Sequence, residues 1–192
     1  MGRELVAIGA SWGGLRAVGD VLAALPESFG PAVVVAQHRA ADSLPGGLTG
    51  ALGRRTALPV CEAGDKDPVE GGHVYLAPAD YHLYVEDGHF ELSIDAPVTY
   101  SRPSIDVLLE SVAGSYGPRA VGVLLTGASA DGAEGLLALR RAGGLTVVQD
   151  PDDAERSEMP AAAVALGAAM RVCPLAEVPA VLLDACAARS AA

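Results

Sequence analysis

The sequence predicts an α/β fold: a doubly wound, mostly parallel sheet with a small antiparallel hairpin element. Two observations point there. Short apolar runs recur that are continuous rather than alternating, such as Ala-Val-Val-Val-Ala-Gln over residues 32–37. Strands with that pattern are buried on both faces. Most of these runs lead into a helix-like segment, which is the βα alternation of a parallel sheet. Composition agrees, because 51% of the chain is hydrophobic but only 4% is aromatic. The core must therefore be Ala, Val and Leu, which lets helices lie close on a sheet. With 192 residues, one domain spanning 1–192 has room for a full core.

The elements follow in order. Residues 5–8 read as the first strand and 14–25 as the first helix. Residues 32–37 form a second buried strand. A helix is expected over 43–55, with Pro45 admitted in its first turn, then a short strand over 60–63. Segments 74–77, 83–86 and 90–94 read as an antiparallel excursion, inserted in the parallel sheet or at its edge. The last two flank Asp87-Gly88, a hairpin turn signal. A helix over 104–116 has Ser104 as N-cap. Strand 121–125, helix 132–141, strand 145–149, helix 160–166, strand 170–172 and helix 175–187 complete the chain. The Ala-rich end from Ala185 is expected to fray.

Charge and cysteine usage narrow the function classes. The formal net charge is -11, and no Lys/Arg cluster interrupts it. That argues against nucleic acid or an anionic membrane surface as a partner. Cys61, Cys173 and Cys186 form no C-x-x-C pair, so a reducing compartment is expected rather than a disulfide framework. The first strand is too short for a secretory signal. The longest apolar stretch, 159–170, is broken by Pro160 and Gly167 and does not reach membrane-spanning length. These features describe a soluble, cytoplasmic protein.

The chemistry-bearing segment is Leu-Val-Ala-Ile-Gly-Ala-Ser-Trp-Gly-Gly over residues 5–14. Gly9 to Gly13 fits G-x-S-x-G between a strand and a helix. A sharp turn there lifts Ser11 Oγ out of the sheet and aims helix amides at a developing oxyanion. The serine needs a base, and the base needs a carboxylate. His38 directly follows the second strand, and Asp131 lies in the loop after the strand ending near Leu125. All three sit beyond strand carboxyl ends, where open parallel sheets bind ligands. Their order is Ser, His, Asp, unlike the Ser, Asp/Glu, His order of α/β-hydrolases. Locally, Ser11 and Asp131 also read as helix N-caps, and His38 as a hydrogen-bonded loop residue. His73, His82 and His89 lack the cysteines and spacing of a metal site and read as surface or packing residues. Asp65, Asp67 and the run Asp150-Pro151-Asp152-Asp153 read as solvated loops. Gly9 to Gly14 is not a phosphate loop, because no Gly-Lys-Ser/Thr follows.

These segments together resemble the catalytic domain of the chemotaxis protein-glutamate methylesterases. The likeness runs in order along nearly the whole chain. Ile8-Gly9-Ala10-Ser11-Trp12-Gly13-Gly14 resembles the family's nucleophile segment, and Val34-Val35-Ala36-Gln37-His38 its histidine segment. Gly72-His73-Val74-Tyr75-Leu76-Ala77-Pro78 and Tyr81-His82-Leu83 resemble its hairpin region. Arg102-Pro103-Ser104-Ile105-Asp106 is similar to its Arg-Pro-Ser element. Leu125-Thr126-Gly127 with Asp131-Gly132-Ala133 resembles its acid loop. Ala142-Gly143-Gly144, Gln149-Asp150 and Met159-Pro160 complete the series.

The resemblance implies hydrolysis of glutamate γ-methyl esters on the cytoplasmic helices of methylated chemoreceptors, releasing methanol, with glutamine deamidation as a related activity. It implies Ser11 as nucleophile, His38 as base, Asp131 as orienting acid and oxyanion amides near Trp12 and Ala128, without metal or organic cofactor. The sequence departs from the family at three places. Trp12 stands where the family has threonine. Ala128 and Ser129 replace Met and Gly of its acid loop. Its N-terminal receiver domain has no counterpart, since Met1 lies four residues before the first strand; this fits either a standalone form, with a separate response regulator as partner, or a piece of a longer protein. Two other readings stay in view: a catalytically silent binding or regulatory module, which Trp12 favours, and an esterase for a small or different protein ester.

Overall fold

The computed structural model describes residues 2–43 and 46–187. Seven strands form one parallel sheet in the order β3-β4-β2-β1-β7-β8-β9. They are β1 (Leu5–Ala10), β2 (Ala32–Gln37), β3 (Val60–Glu62), β4 (Val74–Leu76), β7 (Ala120–Leu124), β8 (Leu145–Gln149) and β9 (Arg171–Cys173). The helices are α1 (Gly14–Ala23), α2 (Gly47–Gly53), α3 (Ile105–Ser115), α4 (Ala133–Arg141), α5 (Glu158–Ala165) and α6 (Val178–Cys186). Among the described residues, none is long and apolar enough to cross a membrane.

Strand alternation divides the core. Val6, Ile8 and Ala10 of β1 face a layer with Val18, Leu22, Leu52 and Leu182 from α1, α2 and α6. Leu5 and Ala7 face the other layer, with Leu108, Leu109, Leu136, Leu139 and Met159 from α3, α4 and α5. Period-two pointing of side chains produces this division, and burial on both sides explains why the strand sequences show no polar alternation.

The antiparallel element differs from the expectation. Val74–Leu76 is an interior strand of the parallel sheet, paired with β2 and β3. Only β5 (His82–Glu86) and β6 (His89–Ser93) form the hairpin, and they make a separate two-stranded sheet. Leu83, Val85 and Phe90 bury it in the same layer as α3. A three-residue strand with an apolar face looks alike in either setting, so the sequence pattern did not decide its partner. The helix expected over 43–55 is confined to Gly47–Gly53; Leu44 and Pro45 lie outside the described residues. The last helix begins as a 3₁₀ turn, Leu175–Glu177. Of the expected frayed end, residues 188–192 also lie outside the described residues.

Helices α3 and α4 touch closely at Gly135. A Cβ built there would lie 2.6 Å from the Asp106 carbonyl oxygen and 2.9 Å from Asp106 Cα. Both are backbone atoms that cannot rotate aside. Gly135→Ala should therefore lose about 1–3 kcal/mol of stability in urea unfolding. Gly114→Ala is the control, since a Cβ there meets nothing within 4 Å. It should be neutral or mildly stabilising, as for Gly to Ala in an exposed helix.

Candidate active site

The strand order places a topological switch at β1. The chain runs outward through β2 on one side of β1 and resumes with β7 on the other. A crevice opens beyond the strand carboxyl ends at such a point. Ser11 follows β1, His38 follows β2, and Asp131 lies in the loop between β7 and α4.

The serine backbone is fully engaged. Its N–H donates to Thr126 O at 3.0 Å, and its carbonyl accepts from Gly14 N at 2.9 Å. That carbonyl also accepts from Gln37 Nε2 at 2.8 Å. Gly13 completes the elbow in the left-handed region, with φ 77°, which costs glycine little. Ser11 is not the N-cap of α1, because Gly13 holds that position and no side chain caps the helix. The hydroxyl is left free of capping duty and lies 3.2 Å from His38 Nδ1.

His38 Nε2 lies 2.7 Å from Asp131 Oδ2. Asp131 is fully buried. Its Oδ2 also accepts from Ile105 N at 2.7 Å, and its Oδ1 from Ser104 Oγ at 2.8 Å and Asp106 N at 3.1 Å. Burial alone raises this carboxyl, but the bonds from His38, Ile105, Ser104 and Asp106 outweigh it and hold the pKa below the ordinary value. An ionised carboxylate only accepts hydrogen bonds, so the imidazole proton sits on Nε2. That leaves the Nδ1 lone pair facing Ser11.

The expected cap role of Asp131 falls on a different helix. Gly132 is the N-cap of α4, whereas Asp131 receives the first amides of α3. Asp106, in the first turn of α3, receives Gly132 N at 2.9 Å and Gly135 N at 2.8 Å on its Oδ1. Each helix thus supplies the carboxylate beside the other's N-terminus, where amide donors and the helix dipole favour negative charge. Burial, and after it the Asp131 charge, push the Asp106 carboxyl up from 3.8 to about 6 against the pull of the Gly135 amide.

Trp12 is 60% exposed beside Ser11, with the Arg156 guanidinium 5.4 Å above its ring. Thr126 Oγ1 accepts from Arg156 N at 2.9 Å and lies 3.0 Å from Trp12 O. The Trp12 and Ala128 amides have no hydrogen-bond partner among the described residues. The other histidines do not converge. His82 is buried, with Nε2 3.1 Å from Ala96 O, and its Nδ1 accepts from Ser104 N at 3.2 Å. His73 contacts Gly71 O at 3.1 Å, and His89 Nε2 lies 3.5 Å from Glu91. Among the described residues, no cluster of three or more His, Cys, Asp or Glu is arranged to hold a metal.

Several of the acidic loop residues do more than meet solvent. Asp65 Oδ1 accepts from Leu92 N at 3.0 Å, Asp67 Oδ2 from Gly64 N at 2.8 Å and Asp153 Oδ2 from Leu175 N at 2.7 Å. Short carboxylates commonly tie loop backbone in this way. Residues the sequence reading passed over are Gln37, which ties Ser11 O to His38 O, and Asp106. The signal for Asp106 was its place in the first turn of a helix, where a carboxylate meets free amides.

Asp106 gives a signed pH prediction. Its folded carboxyl keeps a proton up to about 6, whereas the unfolded one releases it near ~3.9. Stability should therefore decline as pH rises across that window. Asp131 has the opposite sign: its stabilisation holds above the unfolded pKa and is lost as pH falls through its depressed folded value. Urea midpoints measured across about pH 4–7 should show Asp106→Asn removing the decline while keeping the acceptor for Gly132 and Gly135. Asp131→Asn should instead lower the midpoint at neutral pH.

Comparison with known proteins agrees with this architecture. The family model described as CheB methylesterase matches residues 6–182. A protein-glutamate methylesterase/protein-glutamine glutaminase 2 of Anaeromyxobacter dehalogenans is 45% identical over 181 residues, covering 94% of this chain and 53% of that protein. A putative protein of the same description from Leptospira interrogans is 43% identical over 165 residues, covering 85% of each. The chain therefore spans about half the length of the Anaeromyxobacter relative. The crystal structure of the Thermotoga maritima CheB methylesterase catalytic domain superposes with a TM-score of 0.88 at 31% identity, covering 96% of this chain and 99% of that one. With a seven-stranded parallel sheet, a separate hairpin and a family match across nearly its whole length, this chain belongs to the CheB methylesterase family.

Proposed function

We propose that this chain is a serine hydrolase that removes methyl groups from glutamate γ-methyl esters on chemoreceptor cytoplasmic helices, releasing methanol, and that the same groups deamidate glutamine there. The observation that carries the reading is the unbroken chain from Ser11 Oγ through His38 to a buried, ionised Asp131. The names of the relatives support the substrate class. A separate response regulator acting on this protein in the cytoplasm belongs to the same proposal.

In this reading Ser11 Oγ attacks the ester carbonyl while His38 Nδ1 takes its proton. The imidazolium forms between Ser11 and Asp131. The carboxylate, already charged and hydrogen-bonded, stabilises it without rearranging. His38 then returns the proton to the leaving methoxide, which departs as methanol and leaves an acyl group on Ser11. Water, deprotonated by His38, attacks this ester and frees the glutamate carboxylate. The unpartnered amides of Trp12 and Ala128 supply oxyanion donors. An amide donor does not depend on its own side chain, so a tryptophan at position 12 keeps the donor and changes what fits beside the serine.

Methanol release from methylated receptor tests the proposal. Ser11→Ala should reduce it by at least about 10⁴-fold with the fold unchanged. A fluorophosphonate probe should label Ser11 in the wild type; failure to label would favour a silent docking module, for which the exposed indole is the favouring observation. Trp12→Ala should shift KM and substrate preference while kcat on a short ester stays within a few-fold. A loss of about 10²–10³ in kcat, the cost of an oxyanion donor, would make the indole itself part of the chemistry.

A further inference from the structure

A second hydroxyl faces the same imidazole nitrogen. Ser101 Oγ lies 3.4 Å from His38 Nδ1, against 3.2 Å for Ser11 Oγ. Neutral Nδ1 offers one lone pair, so the two hydroxyls compete for it. The segment bearing Ser101 is held with unusual firmness. Ser101 N donates to Val98 O at 2.8 Å, and Val98 N to Ser101 O at 3.1 Å. The two residues between them both have positive φ, Thr99 at 48° and Tyr100 at 62°. A tight turn of that kind favours glycine or asparagine, and a β-branched residue there is an outlier. Arg102 pins the far side, with Nε 3.0 Å and Nη2 2.6 Å from Asp80 Oδ1 and Nη1 2.7 Å from Ile94 O. Backbone strain of this sort persists where surrounding structure enforces it, often beside functional groups. Here it delivers a hydroxyl to His38, at the wall of a cleft of about 300 Å³ that Ala40, Tyr100 and Ser101 share with the imidazole.

We propose that Ser101 is a positioning residue for the second half of the reaction, holding the hydrolytic water against His38 Nδ1 once Ser11 is acylated. The inference rests on the hydrolase reading above. In the free enzyme Ser11 is the nearer donor to Nδ1. After acylation Ser11 Oγ has no proton to give, and the lone pair is open to water. Ser101 is then the side-chain hydroxyl within hydrogen-bond distance of Nδ1 among the described residues. It can accept from the water while the water donates its other proton to Nδ1. The water oxygen bonds to the acyl carbon as His38 takes the proton. The tetrahedral adduct collapses, the bond to Ser11 Oγ breaks, and Oγ takes the proton back from Nδ1. The product leaves as a carboxylate, with one proton released to solvent. Ser101 thus acts on deacylation and leaves acylation to Ser11 and His38.

The two halves are measured separately with p-nitrophenyl acetate. Acylation is followed by p-nitrophenolate release with enzyme in excess. Deacylation is followed by the decay of isolated acetyl-enzyme, read by intact-protein mass. Ser101→Ala should leave acylation within about twofold and slow deacylation about tenfold, the rate equivalent of one hydrogen bond. Ser101→Thr, which keeps the hydroxyl, should restore deacylation. Equal slowing of both halves, or unchanged deacylation in Ser101→Ala, would overturn the role. Absence of any acetyl adduct on wild-type Ser11 would instead overturn the hydrolase reading itself.

Discussion

The arrangement depends on an exchange of carboxylates between two helix N-termini. Asp131, from the loop leading into α4, takes the first amides of α3, and Asp106, from α3, takes amides of α4. Neither carboxylate has a cationic side chain as its only support. Oriented backbone donors do the work that a lysine or arginine would do elsewhere. The exchange requires the helices to lie almost in contact, and Gly135 permits this. It also explains why the two acids diverge. Asp131 has four donors and remains ionised; Asp106 has two amides and sits beside that charge, so its carboxyl holds its proton longer. Two like groups in one buried place are pushed apart in acidity by their surroundings.

Ser11 and His38 owe their spacing to strand register. Ala10 of β1 lies opposite Gln37 of β2, so Ser11 and His38 leave adjacent parallel strands at the same level. Gln37 then fastens the two exits by donating to both carbonyls. Asp131 arrives from beyond β7, on the other flank of β1, and reaches the imidazole above the strand ends. Three residues distant in sequence converge because three neighbouring strands end together, which is the geometric content of the switch-point rule.

Much of this was legible in the sequence, for identifiable reasons. Continuous Val and Ala runs announced buried parallel strands; Ser11 and His38 stood directly after two of them, and Asp131 in the loop after a third. Ser104 read correctly as an N-cap, and its hydroxyl accepts from Val107 N at 3.4 Å; its bond to Asp131 was invisible because it is tertiary. The same limit applied to Asp131, whose cap role was assigned to the helix next in sequence when the helix next in space receives it. The placement of Val74–Leu76 failed for a similar reason, since local pattern gives a strand but not its neighbour. Ser101 carried no sequence signal at all. It follows a Thr-Tyr turn that propensity would never select, and only the positive φ values reveal it.

The burial of Asp131 has a consequence for isotope exchange. Amides in the first turn of a helix ordinarily face water and exchange quickly, because no carbonyl within the helix receives them. The Ile105 and Asp106 amides are instead bound to a carboxylate with no exposed surface. Their protons can be traded for deuterium only when α3, α4 and the histidine contact open together, as a cooperative unit. Two backbone positions in this helix thereby register the integrity of a side-chain network that runs to Ser11, without any label placed on Ser11 itself.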